Sequence, residues 1–305
     1  MVKKTEKKDI KKVAAVVLTY NRKELLKEGI EALIDQKYEG LDIYVVDNHS
    51  TDGTKEYISD LLKNKKVFYV DTGENLGCTP GFCIGIRKAC EGDYDYIWLM
   101  DDDCIVQKDA LKELLQFAKE KKDNFGLLAS KVLWKDNSLC KMNIPRKTWC
   151  MPLRNLEEDS EIVITSFVSM FIKKSVIEDV GLPIKEFVIW TDDYEFSRRI
   201  SMKYPCYFVH KSIAIHKSKD NFGANIVKET GDRVQRYNNA YRNEYYLYRR
   251  EGFKGRLYVF LRNIYTIARI ILFAKECKKE KINIVIKATN EGKKFFPAIE
   301  YLDKK

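Results

Sequence analysis

The sequence predicts an α/β protein built on a doubly wound sheet, and three observations support this fold class. Short runs of β-branched and aromatic residues recur through the first hundred residues, and stretches with the helical spacing of apolar residues lie between them. Strand and helix alternate four times, which is typical of a parallel sheet with helices on both faces. Polar residues follow each strand, at the edge where such folds bind ligands.

The elements of this first part follow one another in a regular order. The four predicted strands are residues 13–19, 41–47, 66–70 and 95–100. The four predicted helices are residues 22–36, 52–63, 80–90 and 107–121. The strands end in Thr19-Tyr20-Asn21-Arg22, Asp47-Asn48, Gly73-Glu74-Asn75-Leu76-Gly77 and Asp101-Asp102-Asp103. Because the carboxyl ends of parallel strands share one edge, we expect these four loops to meet in one crevice.

The second part of the chain is less regular. Residues 132–160 lack a clear period, and we interpret them as an irregular excursion that serves as a mobile lid. The elements predicted after it are an apolar return to the sheet at 161–172, a short helix near 174–180, a helix with Asp192-Asp193 as its N-cap, and two edge strands, CYFVH and SIAIHK. From about residue 230 the pattern is helical and basic.

The net charge of +10 is concentrated at the two ends of the chain. Residues 249–305 hold fifteen Lys and Arg against six Asp and Glu, and residues 1–12 hold six against two. The residues between them are therefore weakly acidic. This distribution argues against a uniformly basic nucleic-acid binder, and it favours contact of the basic ends with an anionic membrane surface.

The cysteines and the first residues indicate the compartment. Eight cysteines are scattered without a C-x-x-C pair, which argues against a zinc ribbon or a redox motif and favours free thiols in the reducing cytoplasm. The opening MVKKTEKKDIKK followed by VAAVVLTY imitates a signal peptide. Its apolar stretch is short and no small-residue cleavage site follows, so we interpret it as the first buried strand.

Three adjacent carboxylates, Asp101, Asp102 and Asp103, follow the buried run WLM. They repel one another unless a cation or solvent neutralises them, and their hard oxygens suit Mg²⁺ or Mn²⁺. Asp101 and Asp103 can both face such a metal while Asp102 points elsewhere. The alternative is a solvated turn that caps the following helix.

Two histidines and a second acidic pair are further candidates. His216 ends an apolar strand and could complete the metal's ligands, with His210 as the fallback; either could equally be a structural histidine. Asp193, with Asp192 beside it, could act as a general base on an acceptor hydroxyl. The alternative for this pair is an N-cap with a salt bridge to Arg198 or Arg199.

Two loops at the predicted crevice suit a nucleotide. Asp47 could accept hydrogen bonds from a nucleobase edge or a ribose. The glycines of the stretch from Asn75 to Gly85, Gly77 among them, allow close backbone approach before a helix. This stretch is neither a dinucleotide fingerprint nor a phosphate-binding loop.

Residues 256–274 are apolar on most faces, with three arginines gathered mainly along one stripe. Three arginines within nineteen residues disfavour a membrane-spanning segment, and the pattern favours an interfacial helix. The alternative is a helix packed on the rest of the chain or on a partner subunit.

Taken together, these motifs resemble bacterial family 2 glycosyltransferases with a GT-A fold, in particular the galactofuranosyltransferase and rhamnosyltransferase branch. The resemblance rests on TYNR, VVDNHSTDGT, NLGCTPGF, WLMDDD, WTDDYEF and the late His216, and it covers roughly residues 13–217. The chain departs from the family pattern at Cys78-Thr79-Pro80, where NLG is usually followed by Gly or Ala.

The resemblance implies roles for individual residues. The donor-binding residues it implies are Thr19, Asn21, Arg22, Asp47, Asn75, Gly77, Asp101 and Asp102. Asp101, Asp103 and His216 would bind Mn²⁺ or Mg²⁺. Asp193 would be the catalytic base, with Asp192 as its close neighbour.

The resemblance also implies a domain organisation and an activity. The predicted parts are a basic tail at 1–12, a GT-A catalytic domain at 13–217 with a nucleotide-binding half (13–103) and an acceptor and metal half (104–217), and a helical basic region at 218–305. The expected reaction moves a sugar from a UDP- or dTDP-sugar to a cell-envelope glycan or lipid-linked acceptor, with inversion at the anomeric carbon. The expected location is the inner face of the cell membrane, peripherally bound, and the chain could be a homo-oligomer. The alternative functions are a sugar nucleotidyltransferase and a non-catalytic membrane-surface adaptor.

Overall fold

The computed structural model describes residues 10–302. Its strands are β1 (Val13–Thr19), β2 (Leu41–Asp47), β3 (Val67–Asp71), β4 (Tyr96–Asp101), β5 (Cys104–Val106), β6 (Leu127–Trp134), β7 (Ser160–Glu161), β8 (Met170–Lys173) and β9 (Cys206–His216). Its α-helices are α1 (Lys23–Ile34), α2 (Thr54–Tyr57), α3 (Cys78–Glu91), α4 (Ala110–Glu120), α5 (Lys174–Val180), α6 (Asp192–Ser201), α7 (Tyr237–Arg249), α8 (Gly252–Phe273) and α9 (Lys278–Lys294). Most of the predicted tail lies outside the described residues.

Within the described residues the strands form one mixed sheet in the order β3-β2-β1-β4-β8-β6-β9-β5, with β7 paired to β9. The first four strands are parallel, as predicted, and β8 then runs antiparallel to β4. All seven residues of β1 are buried, because helices cover both faces of the sheet. The predicted α/β fold class with a doubly wound mixed sheet is therefore confirmed.

Two apolar cores lie on opposite faces of the sheet. One packs Leu26 and Ile30 of α1 against Trp98 and Phe171. The other packs Phe82 of α3, together with residues of α5 and α6, against the alternate side chains of the same strands. This alternation is what the two-residue period of a strand dictates, and it fixes the register that brings the strand ends together.

The predicted helix 52–63 is shorter than expected. Only Thr54–Tyr57 is α-helical, followed by a 3₁₀ turn at Leu61–Lys63. Ser59 and Asp60 are weak helix formers and separate the two turns. The apolar Ile58 is nonetheless buried, so the segment still covers the sheet.

The prediction of two edge strands, CYFVH and SIAIHK, was wrong. Both runs belong to the single strand β9, which lies between β6 and β5. The register shifts where the runs meet: Ser130 pairs with Val209 and the next residue, Lys131, pairs with Ile213. The sequence interpretation missed the partner strands β5 and β6, so β9 was placed at an edge.

The irregular segment and the apolar run after it also differ from expectation. Residues 132–134 belong to β6, and residues 135–159 are the irregular part. Of the run 161–172, only Glu161 and Met170–Ile172 are in strands. The loop between them is largely buried, since Ile162, Ile164 and Phe167 pack beneath the sheet, which explains their apolar character.

The C-terminal helices pack against the sheet-bearing part of the chain. Ile184 and Phe187 contact Tyr246 of α7 and, further on, Phe295. The fully buried Asn243 of α7 donates hydrogen bonds from its amide nitrogen to the carbonyl oxygens of Phe187, Ile189 and Trp190, at 3.1, 3.3 and 3.0 Å. A helix of the C-terminal region thus holds the loop that precedes α6.

Candidate active site

The ends of β1, β2 and β4 meet at one edge of the sheet. Thr19 pairs with Asp47 across β1 and β2, and Leu18 pairs with Asp101 across β1 and β4. The parallel register therefore brings three of the four predicted loops to one place. It does so because each strand ends at the same level of the sheet.

Asp102 and Asp103 are buried and face a single half-exposed arginine. Arg22 donates from Nη1 to Asp103 Oδ2 at 2.8 Å and to Asp102 Oδ1 at 3.2 Å. The hydroxyl of Thr19 donates to the other oxygen of Asp102 at 2.8 Å. Asp102 therefore turns toward β1 and shares the arginine with Asp103.

Asp101, Asp103 and His216 form a separate cluster. Their ligand atoms all lie within 4.8 Å of one another, and His216 Nε2 is 3.1 Å from Asp103 Oδ1. The antiparallel pairing of β5 with β9 places Cys104 opposite His216 and so brings the imidazole beside the aspartates. The three side chains lie together, as predicted. Their role as metal ligands remains a prediction.

The charges in this cluster are unbalanced. Burial, together with the nearby charge of Asp103, raises the pKa of Asp101 to about 7. Burial also raises the pKa of Asp102 to about 6, against the opposing effect of Arg22. Burial acts to raise the pKa of Asp103 too, but hydrogen bonding and the charges of His216 and Arg22 lower it overall. Burial acts to lower the pKa of His216, but the hydrogen bond and the negative charge of Asp103 raise it to about 10.

The donor set fits a divalent cation. Asp103 Oδ1 is buried and has no hydrogen-bond donor of suitable geometry within residues 10–302. His216 Nδ1 lies 2.8 Å from Asn143 Oδ1, which can only accept. Nδ1 therefore keeps its proton, and a cation that replaced the proton on Nε2 would meet the ring lone pair on the side of Asp103, as at a metal-binding histidine. Two carboxylates and one imidazole suit Mn²⁺ or Mg²⁺ with open positions for phosphate oxygens.

The acidic pair at the start of α6 has different surroundings. Asp192 is buried, and its Oδ2 accepts a hydrogen bond from the hydroxyl of Thr79 at 2.7 Å. Asp193 is partly exposed and accepts from the backbone N–H of Tyr194 at 2.7 Å. Burial and the charge of Asp192 hold the pKa of Asp193 well above its usual range. A raised pKa makes this carboxylate a stronger base than an ordinary aspartate, which is the property that a general base needs.

The N-cap interpretation of this pair was wrong in detail. The N-cap residue is Thr191, in the left-handed region with φ 69°, and both aspartates lie in the first helical turn. Arg198 pairs with Glu251 and Arg199 pairs with Glu195, so neither forms the salt bridge of the alternative interpretation. A negative charge in the first turn is still favourable to the helix dipole.

The backbone leading to Asp193 is strained. Val188, Trp190 and Thr191 all have positive φ, between 62° and 69°. Such conformations cost of the order of 1–3 kcal/mol each in non-glycine residues and persist only where surrounding contacts enforce them. The hydrogen bonds from Asn243 enforce them here, and Gly77 makes room, because a Cβ on Gly77 would lie 2.8 Å from a methyl of Val188.

The remaining predicted donor-binding residues shape the loops around the crevice. Asp47 is buried and accepts from the backbone of Ser50 at 2.8 Å and from the hydroxyl of Tyr69 at 2.5 Å. The exposed Asn21 has a φ of 54°, and its side-chain oxygen accepts from the N–H of Thr51. Asn75 is exposed and accepts from the N–H of Gly77. Their contact with a donor remains a prediction.

Some residues of the site escaped sequence reasoning. Cys140 and Asn143 come from the irregular segment and contact His216. Arg146 lies over the ring of Tyr194, 4.6 Å from its centroid. No local period marks these residues. The fallback, His210, contacts Asp159 at 2.7 Å and is not part of the metal-ligand cluster.

A mixed sheet with an acidic cluster at its strand ends places the chain among proteins with the GT-A fold. The model of glycosyl transferase family 2 matches residues 14–181, more than half of the chain, so the chain belongs to this family. The predicted membership of the family 2 glycosyltransferases is therefore confirmed. The galactofuranosyl or rhamnosyl branch stays a prediction.

Two relatives illustrate how far the sequence similarity reaches. Poly-beta-1,6-N-acetyl-D-glucosamine synthase of Staphylococcus aureus (strain COL) is 29% identical over 102 residues, which are 33% of this chain and 24% of the relative. An uncharacterized glycosyltransferase of Haemophilus influenzae is 31% identical over 106 residues, 34% of this chain and 41% of the relative. The similarity thus spans less than half the length of these curated relatives.

Solved structures extend the likeness in fold. S. aureus TarS 1–349 in complex with UDP has a TM-score of 0.58 at 15% identity, covering 93% of this chain and 72% of that one. GalNAc-T7 with UDP, GalNAc and Mn²⁺ has a TM-score of 0.62 at 16% identity, covering 91% and 55%. At these identities the likeness concerns the fold alone.

Two other expectations concern thiols and membranes. The eight cysteines, all within the described residues, are free. Among residues 10–302, no helix has both the length and the apolar character needed to cross a bilayer.

Proposed function

We propose that the chain transfers a sugar, with inversion, from a UDP- or dTDP-sugar to a hydroxyl of a cell-envelope glycan or lipid-linked acceptor, with the help of one Mn²⁺ or Mg²⁺. The observation that carries this proposal is the presence of two differently built acidic clusters, close enough that the charge of Asp101 acts on Asp193. UDP is the first donor nucleotide to test, because solved structures of similar fold are named as complexes with UDP.

The first cluster would hold the leaving nucleoside diphosphate. Asp101, Asp103 and His216 would bind the cation, which when bound neutralises charge that develops on the diphosphate. Arg22 adds a half-exposed guanidinium at the same place, anchored by Asp102 and Asp103. Asn21, Asp47 and Asn75 would border the nucleoside from the neighbouring loops.

The second cluster would activate the acceptor. Asp193 would remove the proton of the attacking hydroxyl, a role for which its raised pKa is suited. Asp192, held by Thr79, supplies the negative charge that helps to raise that pKa and is thus a positioning residue. A base set apart from the leaving-group site is what a single displacement with inversion requires.

The decisive experiment measures the melting temperature with UDP, with and without Mn²⁺. We expect a stabilisation that needs both ligands, about 2.7 kcal/mol at a hundred times the dissociation constant. Asp103→Asn should abolish the metal-dependent part. Asp109→Asn is the matched control, because Asp109 is exposed at the start of α4, outside the site. Absence of any metal-dependent shift with UDP or dTDP would contradict the proposal.

We also propose that the protein binds the inner face of the cell membrane through α8. Large apolar side chains form a solvent-facing stripe on this helix, here called the α8 stripe: Phe253, Leu257, Phe260, Leu261, Ile264, Tyr265, Ile271, Leu272 and Phe273. Their spacing follows the helical period. An apolar helix face with basic residues near both ends of the helix suits a position at the membrane interface.

The charges beside the α8 stripe favour anionic lipid over a second copy of the chain. Five exposed basic residues flank it, against the two acidic residues Glu276 and Glu280. The basic residues are Lys254, Arg256, Lys275, Lys278 and Lys279. A second copy, also of net charge +10, would bring like charges together, whereas anionic headgroups complement them.

Vesicle flotation tests this membrane proposal. We expect the protein to float with phosphatidylcholine vesicles that contain phosphatidylglycerol, and far less with phosphatidylcholine alone. Phe260→Gln combined with Leu272→Gln should reduce flotation at least about tenfold, since both side chains are exposed and their loss removes apolar area from the stripe. Self-association without lipid, lost in the same variant, would contradict it.

A further inference from the structure

A cavity lies between the segment 222–227 and helices α7 and α8. Its volume is about 770 Å³, within the size range of small-molecule sites. All of its lining residues lie beyond residue 181, where the match to the family model ends. The cavity therefore lies outside the part of the chain that the family model matches.

The wall of this cavity is aromatic. Tyr237, Tyr241, Tyr258 and Tyr265 line it. Tyr237 is only 3% exposed, yet its hydroxyl forms no hydrogen bond of accepted geometry within the described residues. A buried hydroxyl without a partner is costly, and a ligand hydroxyl can satisfy it.

Charged groups complete the lining. Arg262 forms an ion pair with Glu244 at 2.6 Å. Arg269 forms no ion pair with an acidic residue among residues 10–302, although its guanidinium lies near the ring of Tyr265. Aromatic faces combined with fixed hydrogen-bonding groups are suited to a sugar ring, which presents C–H groups on its faces and hydroxyls on its rim.

Two sets of contacts connect the cavity to the residues on either side of Asp193. On one side, the ring of Trp190 packs on Tyr237, with 4.9 Å between centroids. On the other side, Arg146 lies over Tyr194 and donates to the hydroxyl of Tyr248 at 2.5 Å. The Tyr248 ring then contacts Tyr258, with 5.0 Å between centroids. The cavity wall is thus in contact with both flanks of the proposed base.

Two residues of the cavity also belong to the α8 stripe. Leu261 and Tyr265 line the cavity, and both are more than half exposed. The polar cavity therefore opens beside an apolar surface that runs along α8. An amphipathic ligand, with a sugar at one end and an apolar chain at the other, matches this arrangement.

We propose that this cavity is a subsite of the acceptor site, and that it takes an inner sugar of a glycan with an apolar aglycone, while the reacting hydroxyl belongs to a further sugar that extends to Asp193. The sugar lies against the tyrosines, its hydroxyls reach Tyr237 and the Arg262–Glu244 pair, and the aglycone continues along the α8 stripe. This inference rests on the proposed function, since it names the substrate class that the same base would act on.

Saturation-transfer NMR with octyl glycosides tests the acceptor site directly. The probes are octyl β-D-glucoside, octyl β-D-galactoside and octyl N-acetyl-β-D-glucosaminide, each below its micelle concentration. Two variants fill the cavity with a large side chain: Thr266→Trp from α8, and Ala224→Trp from the segment 222–227. Ala224 is exposed, so its replacement should leave the fold intact even if Thr266→Trp does not. Asn283→Trp is the control, at an exposed position of α9 outside both the cavity lining and the α8 stripe.

We expect wild type and the control to transfer saturation to the sugar protons of at least one probe. The cavity variants should lose at least about tenfold in affinity for it, with the metal-dependent UDP shift unchanged. Equal binding by a folded cavity variant, or no binding of any probe to wild type, overturns the acceptor site. A missing UDP shift in wild type would instead contradict the proposed function, so the two failures are distinguishable.

Discussion

The two acidic clusters of the candidate active site differ in what surrounds them. Around Asp101, Asp102 and Asp103 lie two groups able to carry positive charge, Arg22 and His216. Around Asp192 and Asp193 the close hydrogen-bond donors are neutral: the hydroxyl of Thr79 and a backbone N–H. The first arrangement suits a site that binds charge, whereas the second suits one that exchanges a proton.

The largest effect should come from the charge-binding cluster. Asp103 contacts both Arg22 and His216, so Asp103→Asn removes the one carboxylate that joins the two cationic groups. We expect turnover of a UDP-sugar with Mn²⁺ to fall at least about 10³-fold, as for loss of a principal electrostatic group. Steady-state kinetics measures this. If the turnover rate fell less than about tenfold, the idea that this cluster binds the charged leaving group would be contradicted.

The next effect should come from the base. Asp193→Asn keeps the size of the side chain but removes its ability to accept a proton, so transfer should fall about 10²–10⁴-fold. The metal-dependent UDP shift should remain, since Asp193 lies in the other cluster. Loss of UDP binding in this variant would show that the clusters do not act separately.

The pH dependence of sugar transfer tests whether Asp193 acts as a base. The pKa of Asp193 is raised by burial and by Asp192, and a base acts only when deprotonated. The rate should therefore rise with pH through that raised pKa and level off above it. Asp192→Asn should move the rise to lower pH, because it removes a neighbouring negative charge. An unshifted profile would argue against the positioning role of Asp192.

A smaller effect is expected at Thr79. Thr79→Val keeps the shape but removes the hydrogen bond to Asp192, so we expect roughly a tenfold loss in kcat with little change in the KM for the donor. Thr289→Val is the matched control, since Thr289 of α9 accepts a hydrogen bond from the side chain of Asn263 at 2.8 Å, outside both acidic clusters. Equal effects of the two substitutions would contradict a specific role for Thr79.

The smallest effect concerns stability without metal. Burial raises the pKa of Asp101 to about 7 in the folded protein, so its cost to the free energy of unfolding is absent below the unfolded pKa of about 4, grows as pH rises from about 4 to 7, and is constant above 7. Asp101→Asn should therefore stabilise the metal-free protein at pH 8, by of the order of 1 kcal/mol, and have little effect at pH 4. Urea unfolding at the two pH values measures this, and stabilisation at pH 4 alone would contradict it.

The first four strands could be predicted from the sequence because each is a short apolar run followed by polar residues. The same reasoning located Asp101, Asp103 and His216. The same reasoning did not find β5 and β6, so it placed β9 at an edge of the sheet. Pairing between strands that are distant in sequence cannot be detected from local periodicity. For the same reason the contacts of Asn143 with His216 and of Thr79 with Asp192 could not be foreseen, since they join residues 73 and 113 positions apart.

The amide of Asn243 has a consequence for how such enzymes diversify. It belongs to α7, beyond the part of the chain matched by the family model, yet it fastens the peptide groups just before Asp193. A change in α7 would therefore alter the position of the proposed base and the shape of the proposed acceptor site in one step. Grafting this region as a unit, rather than by single substitutions, is the natural way to redirect specificity.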